Sequence, residues 1–194
     1  MPHAHPPGAG KSSYDLIDRP LFWSSLSLEP GMTVLDLGCG AGLYAKEIAD
    51  RIQAGGRLIA IDAWEAGVAR INQWAQDQSC AVEAHVADAG SKLPVDDQNV
   101  DLCLMATVLH DLVHDGSAQV ALKEVARVLK PFGILAIIEF KKQDGPPGPP
   151  RAVRLRLEEV SMLLMPIGLL RFGPVVDLGT ELWFSQFRRL SQKC

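Results

Sequence analysis

The chain has 194 residues, 47% of them hydrophobic and 22% charged, enough apolar material for one well-buried core. A formal net charge of −4 lacks the basic excess with which nucleic-acid binders neutralise phosphates, so no nucleic-acid partner is expected. The cysteines, Cys39, Cys80, Cys103 and Cys194, form no C-x-x-C pair and no disulfide framework, which fits reduced thiols in a cytoplasm.

Residues 1–13 are rich in Pro, Gly and His and read as a flexible leader before a single domain over 14–194. They hold no apolar run of the kind a signal peptide needs, and His3 and His5 read as leader residues rather than ligands. Gly10, Lys11 and Ser12 look like the end of a phosphate-binding P-loop. That pattern requires Gly where His5 stands, and no strand precedes it.

From Tyr14 onward short aliphatic runs alternate with helical ones, the pattern of a parallel sheet wrapped by helices. Strands are predicted over 33–37, 57–61, 81–86, 100–105 and 133–138, each dominated by aliphatic side chains as buried parallel strands are. The clearest helix is 117–130, where Ala121, Val125, Val128 and Leu129 recur at helical spacing before Pro131 and Gly133 stop it. Between Asp88 and Asn99, Gly90 and Pro94 leave little room for a crossover helix, so a short or missing one is expected.

The Gly-Pro-Pro-Gly-Pro-Pro run at 145–150 predicts a stiff loop leading into a helix over 151–165. The apolar stretch 162–170 is too short to span a bilayer and contains Pro166, which suits a core helix end. Strands at 173–178 and 182–190, separated by Gly179, Thr180 and Glu181, predict a closing hairpin. The whole pattern is α/β: a Rossmann-like, doubly wound, mostly parallel seven-stranded sheet with a C-terminal antiparallel hairpin.

Ligands of open α/β sheets sit beyond the carboxyl ends of the strands. The first strand runs into Asp36, Leu37, Gly38, Cys39, Gly40, Ala41 and Gly42, where glycines allow backbone to approach a ligand and the next helix offers free amides. A dinucleotide fingerprint places its third glycine where Leu43 stands, which counts against an NAD(P)-dependent oxidoreductase. A carboxylate at Asp36 repels a pyrophosphate and attracts a ligand carrying an ammonium and a sulfonium. The second strand ends at Asp62, placed to take both hydroxyls of a ribose. The third ends at Asp88, which with the backbone of Ala89 can face an adenine amino group and ring nitrogen. Trp64 can cover the adenine face, and serves equally well as an ordinary tryptophan at a helix start.

On these residues the chain resembles the class I S-adenosylmethionine-dependent methyltransferases, in the methyltransferase type 11 group that includes quinone-biosynthesis C-methyltransferases. The resemblance covers 30–140. Residues 34–42 look like the family's first motif, Ile61 and Asp62 like its second, 87–89 like its third, 100–110 like its fourth, and 122–140 like the helix and strand that follow. Phe132 departs from the pattern, because the family commonly has Gly there. The resemblance implies that the cofactor is S-adenosylmethionine, with Asp36, Gly38 and Gly40 around its methionine part, Asp62 at the ribose and Asp88 with Ala89 at the adenine. Cys39 and Ala63 complete that set, and Met105 and Ala106 line the floor.

Methyl transfer from a sulfonium is an in-line displacement that mainly requires alignment and exclusion of water. A base is needed only where the acceptor is a hydroxyl, a thiol or an activated carbon. His110, just past the fourth predicted strand, is the candidate base; a helix-start histidine that packs or bonds to backbone is the plainer alternative, and either way it should line the site. His110 and His114 stand at i, i+4, but Asp111 departs from H-E-x-x-H and no third ligand is spaced nearby, so no metal is expected. His85 reads as structural, and Glu139, ending the fifth strand, is a further pocket candidate.

Acceptor choice is expected from 14–28, from 141–151 and from the helix after it. Lys141, Lys142, Arg151, Arg154 and Arg156 can attract an anionic acceptor, although solvated faces are the favoured reading. With no inserted domain to form a deep cap, a small-molecule acceptor fits best, its identity and the oligomeric state being left open. A non-catalytic S-adenosylmethionine-binding protein is the alternative reading.

Overall fold

The computed structural model describes residues 10–53, 55–78 and 80–191; His3, His5 and Cys194 lie outside them. Helix α1 (Arg19–Ser25) begins where the Asp18 carboxylate accepts the Leu21 amide at 3.0 Å, with Pro20 in its first turn. There follow β1 (Thr33–Leu37), α2 (Leu43–Ile52), β2 (Arg57–Asp62), α3 (Glu65–Gln78) and β3 (Val82–Val86). No helix separates β3 from β4 (Val100–Ala106), as Gly90 and Pro94 lead one to expect. Next come α4 (Leu109–Asp115), α5 (Ala118–Val128), β5 (Leu129–Phe140), α6 (Leu157–Leu164), β6 (Leu169–Asp177) and β7 (Leu182–Arg189).

The strands form one seven-stranded sheet in the order β3-β2-β1-β4-β5-β7-β6. Strands β1 to β5 run parallel, while β7 is antiparallel to β5 and β6 to β7, so the doubly wound sheet closes on the expected hairpin. Successive side chains of a strand point to opposite faces, and the core accordingly splits in two. Val34, Leu58, Ala60, Leu102 and Leu104 pack with α2 and α3, whereas Leu35, Ile59, Cys103 and Met105 pack with α5 and α6.

Three boundaries move for physical reasons. The predicted helix over 151–165 begins only at Leu157, where the Glu159 carboxylate reaches back to the Arg156 amide at 2.6 Å. The first hairpin strand starts at Leu169 and lies at the sheet edge, where Pro174 is tolerated across a register break between Phe172 and Val176. Strand β5 starts at Leu129 instead of Gly133, with a register shift opposite Val100 and Leu102 that accommodates Pro131 and Phe132. Among the described residues no helix is long and apolar enough to cross a membrane.

Candidate functional site

Strands β2 and β3 lie on one side of β1 and strands β4 and β5 on the other, so the loops leaving the carboxyl ends of β1 and β4 diverge over a crevice. A cavity of about 270 Å³ fills it. Its wall is built from residues 38–41 and Tyr44 after β1, from 61–63 and 87–89 at the ends of β2 and β3, and from 106–108 with the Asp111, Leu112, His114 and Asp115 side of α4. The two diverging loops touch at their root: a Cβ on Gly38, whose φ is +81°, would lie 2.3 Å from Cγ2 of Val108.

The glycine loop is held from β2. The amides of Gly38 and Cys39 donate to the Ile61 carbonyl at 2.7 and 3.1 Å. The Gly40 amide donates to Oδ2 of Asp62, and the Trp64 amide to Oδ1, each at 2.7 Å. Each carboxylate oxygen retains a second lone pair, so Asp62 can shape the loop and still accept from hydroxyls of a ligand. Asp88 orders its own loop by accepting the Gly90 amide at 2.8 Å. Trp64 stands outside the cavity wall, with the Arg70 guanidinium 5.4 Å from its ring centroid.

Asp36 sits one layer deeper. It is 1% exposed, and its Oδ2 accepts no hydrogen bond from the described residues. Burial, reinforced by the charge of Asp62, pushes its carboxyl up to about 7. Its field reaches Cys39 and Tyr44, both on the cavity wall; burial first and this charge second hold the Cys39 thiol far above its usual range, making it an unreactive surface. A buried acceptor lacking a donor is costly unless a cation or donor comes to it. Asp62, Asp88, Asp111 and Asp115 line the cavity against Lys11 and His114. The donor set therefore suits a nucleoside carrying positive charge and disfavours a pyrophosphate.

The predicted cofactor residues assemble with two changes. Gly38, Cys39, Gly40, Asp62, Ala63, Asp88, Ala89 and Ala106 line the cavity, while Asp36 backs it. Met105 does not line it: it alternates with Ala106 along β4 and is buried on the α5 face. The second change concerns the leader. Lys11, Ser12 and Ser13 form part of the wall, with Ser13 Oγ 3.0 Å from the Tyr44 hydroxyl and accepting from Thr107 Oγ1 at 3.3 Å. These partners lie 31 and 94 residues away in sequence, so no local signal marks Ser13, Tyr44 or Thr107 as site residues.

His110 is not on the wall either. It is 5% exposed, and its neighbour Asp111 takes the cavity-facing place. Nδ1 of His110 lies 2.8 Å from Oε2 of Glu139, and the His110 amide donates to Oε1 at 3.0 Å. Glu139 is fully buried and also accepts the Phe140 amide at 3.2 Å. Nε2 of His110 is 3.5 Å from Oδ1 of Asp111. Burial pulls the imidazole down most strongly, but the Glu139 hydrogen bond with the charges of Glu139 and Asp111 outweighs it, leaving a net upward shift. His114 is exposed, and no three His, Cys, Asp or Glu side chains among the described residues converge as metal ligands would.

Four of the basic residues near the Pro-rich loop are already engaged within the chain. Lys141 pairs with Asp177 at 2.6 Å, Lys142 with Glu159 at 2.8 Å and Arg151 with Asp144 at 3.6 Å. Arg154 is wholly buried, its guanidinium donating to the carbonyls of Lys141, Gly145, Pro147 and Pro149. It is the pin of that loop. His85, expected to be structural, is a partly exposed strand residue 3.7 Å from Glu83.

A doubly wound sheet with this crevice, a tight glycine loop and acids at successive strand ends defines a nucleoside-binding α/β protein. Residues 34–133 match the family model described as a methyltransferase domain. A solved S-adenosylmethionine-dependent methyltransferase from Aquifex aeolicus is 31% identical and superposes with a TM-score of 0.81 over 92% of this chain and 93% of that one. The ubiquinone/menaquinone biosynthesis C-methyltransferase of Laribacter hongkongensis is 34% identical over 119 residues, 61% of this chain and 47% of that protein. An O-methyltransferase of Pyrenophora dematioidea is 32% identical over 120 residues, 62% of this chain and 43% of that protein. The chain thus spans about half the length of the curated relatives it matches. It belongs to the S-adenosylmethionine-dependent methyltransferase family.

Proposed function

We propose that this protein transfers the methyl group of S-adenosylmethionine to a small-molecule acceptor. The observation that carries the reading is the pairing of Asp62, tied to the Gly40 amide at 2.7 Å, with the buried Asp36, whose Oδ2 has no donor among the described residues. The glycine loop, with the charge of Asp36 behind it, binds the methionine end, Asp62 and Ala63 the ribose, and Asp88 and Ala89 the adenine. When bound, the cofactor supplies a sulfonium methyl whose departure leaves a neutral thioether. The chain's own residues contribute alignment and dryness: Ser13, held by Tyr44 and Thr107, and the Asp111, Leu112, His114 and Asp115 side of α4 wall the crevice.

Relatives named as C- and as O-methyltransferases match over stretches of similar length, so the acceptor is read from this chain's own side chains. A cytoplasmic setting accompanies the reading, since Cys39, Cys80 and Cys103 are free thiols. Thermal unfolding with added ligand tests it: S-adenosylhomocysteine should raise Tm in a saturable manner and NAD should not. Stabilisation by NAD without any by S-adenosylhomocysteine would reverse the assignment.

A further inference from the structure

We propose that Asp111 and His110, with Glu139 behind them, form a proton-accepting array at the cavity wall, and hence that the acceptor belongs to the class whose attacking atom carries a removable proton, a phenol, an enol or a carbon acid. The inference rests on the methyltransferase reading above and adds an acceptor class to it. Asp111 lines the cavity, and its Oδ1 lies 3.5 Å from Nε2 of His110. The other ring nitrogen is 2.8 Å from Oε2 of Glu139.

Glu139 already accepts two backbone amides, from His110 at 3.0 Å and Phe140 at 3.2 Å, so satisfying its charge does not require the imidazole. What the imidazole bond does is fix the ring. With Nδ1–H donated to Glu139, the lone pair of neutral His110 sits on Nε2, on the Asp111 side. The charged groups facing the ring are Glu139 from β5, Asp111 from α4 and Arg154 from the segment before α6; the two carboxylates favour the imidazolium and the guanidinium opposes it.

In the step, the proton of the acceptor X–H passes to the Asp111 carboxylate and from it to Nε2 of His110. The X lone pair forms the bond to the methyl carbon of the sulfonium donor. The C–S bond breaks with its electron pair remaining on sulfur. The imidazolium so formed lies against Glu139 and, once the product has left, returns its proton through Asp111 to water in the cavity. Asp111 is the catalytic group at the wall, His110 the proton store and Glu139 a positioning residue. A tertiary amine or thioether has no proton to give and would draw nothing from this arrangement.

The test is a nitrogen-15 NMR titration of the histidines in the full chain saturated with S-adenosylhomocysteine, for the wild type, Glu139→Gln and His110→Asn. His110 should be neutral as the Nδ1–H tautomer and titrate above the ordinary value of about 6.5. Glu139→Gln should lower that midpoint by at least about one pH unit, the equivalent of a tenfold change in proton affinity. Affinity for S-adenosylhomocysteine should stay within threefold in both variants. With methyl-labelled S-adenosylmethionine and a panel of phenols, β-diketones and tertiary amines, label should enter the first two classes. His110→Asn should cut kcat by about 100-fold or more. Glu139→Gln should shift the rise of kcat with pH toward lower pH while leaving KM in place. An Nε2–H tautomer, an unmoved midpoint in Glu139→Gln, or label entering no phenol or carbon acid overturns the proton-accepting array. Failure of the wild type to bind S-adenosylhomocysteine would instead remove the methyltransferase reading.

Discussion

Oδ2 of Asp62 accepts the Gly40 amide at 2.7 Å, so one carboxylate at the end of β2 shapes the loop that leaves β1. Without it the Gly40 and Trp64 amides both lose their acceptor. In Asp62→Ala these two amides should exchange with solvent markedly faster by hydrogen-exchange mass spectrometry, while β1 and β2 stay protected. Asp62→Asn, which keeps a single carbonyl acceptor, should lose protection at one of them and retain it at the other.

Asp36 makes the protein respond to pH. Its carboxyl stands at about 7 in the folded chain against 3.8 for the free group, so the folded state holds the proton more tightly. The sign follows from linkage: this group's contribution to stability falls as pH rises from 3.8 toward 7, and it is least favourable above that. Glu124 and Glu159, held low chiefly by Arg127 and Lys142, contribute in the opposite sense and are lost only in acid. Asp36→Asn should therefore raise Tm relative to the wild type near about pH 8 and not near about pH 5. A cationic ligand should expel the Asp36 proton. Calorimetry at about pH 6.5 in buffers of different ionisation enthalpy should show proton release in the wild type and none in Asp36→Asn.

Arg154 holds four carbonyls of the 141–149 segment from a wholly buried position. Arg154→Met keeps much of the volume and leaves those acceptors without their donor, an expected loss of about 3 kcal/mol in urea unfolding. Arg154→Lys, with one nitrogen in place of the fork, should recover only part of it.

Much of this was legible in the residues, and the failures have a common cause. The aliphatic run Thr33–Leu37 and the glycines after it carry their structure locally, and β1 has the bounds expected. Asp62 and Asp88 are readable because a strand end in an open α/β sheet is itself a site. Ser13 is different: it gains its role from Tyr44 and Thr107, which only the fold brings beside it. Arg154 looked like one more loop cation because nothing in its neighbours' identities announces four inward-facing carbonyls. Met105 and Ala106 are adjacent in the fourth motif and suggest one floor, but strand alternation sends them to opposite faces. His110 and Asp111 exchanged places for a similar reason, since which side of a short helix meets the cavity depends on the strand before it.

Phe132 offers a stability test away from the site. It is 63% exposed with φ of 65°, a left-handed conformation in the irregular start of β5. Relief of a cost of about 1–2 kcal/mol, offset by about 0.5–1 kcal/mol of added chain entropy, predicts that Phe132→Gly is more stable by roughly 0.5–1 kcal/mol. Urea midpoints of the two proteins check it.

The central claim is that the crevice between β1 and β4 binds S-adenosylmethionine through Asp62, and calorimetric titration of S-adenosylhomocysteine into the wild type and Asp62→Ala tests it most directly. The account predicts one site per chain in the wild type and affinity at least about 30-fold weaker in the variant, the equivalent of about 2 kcal/mol. No measurable binding at high micromolar ligand in the wild type, or equal affinity in the two proteins, would contradict it.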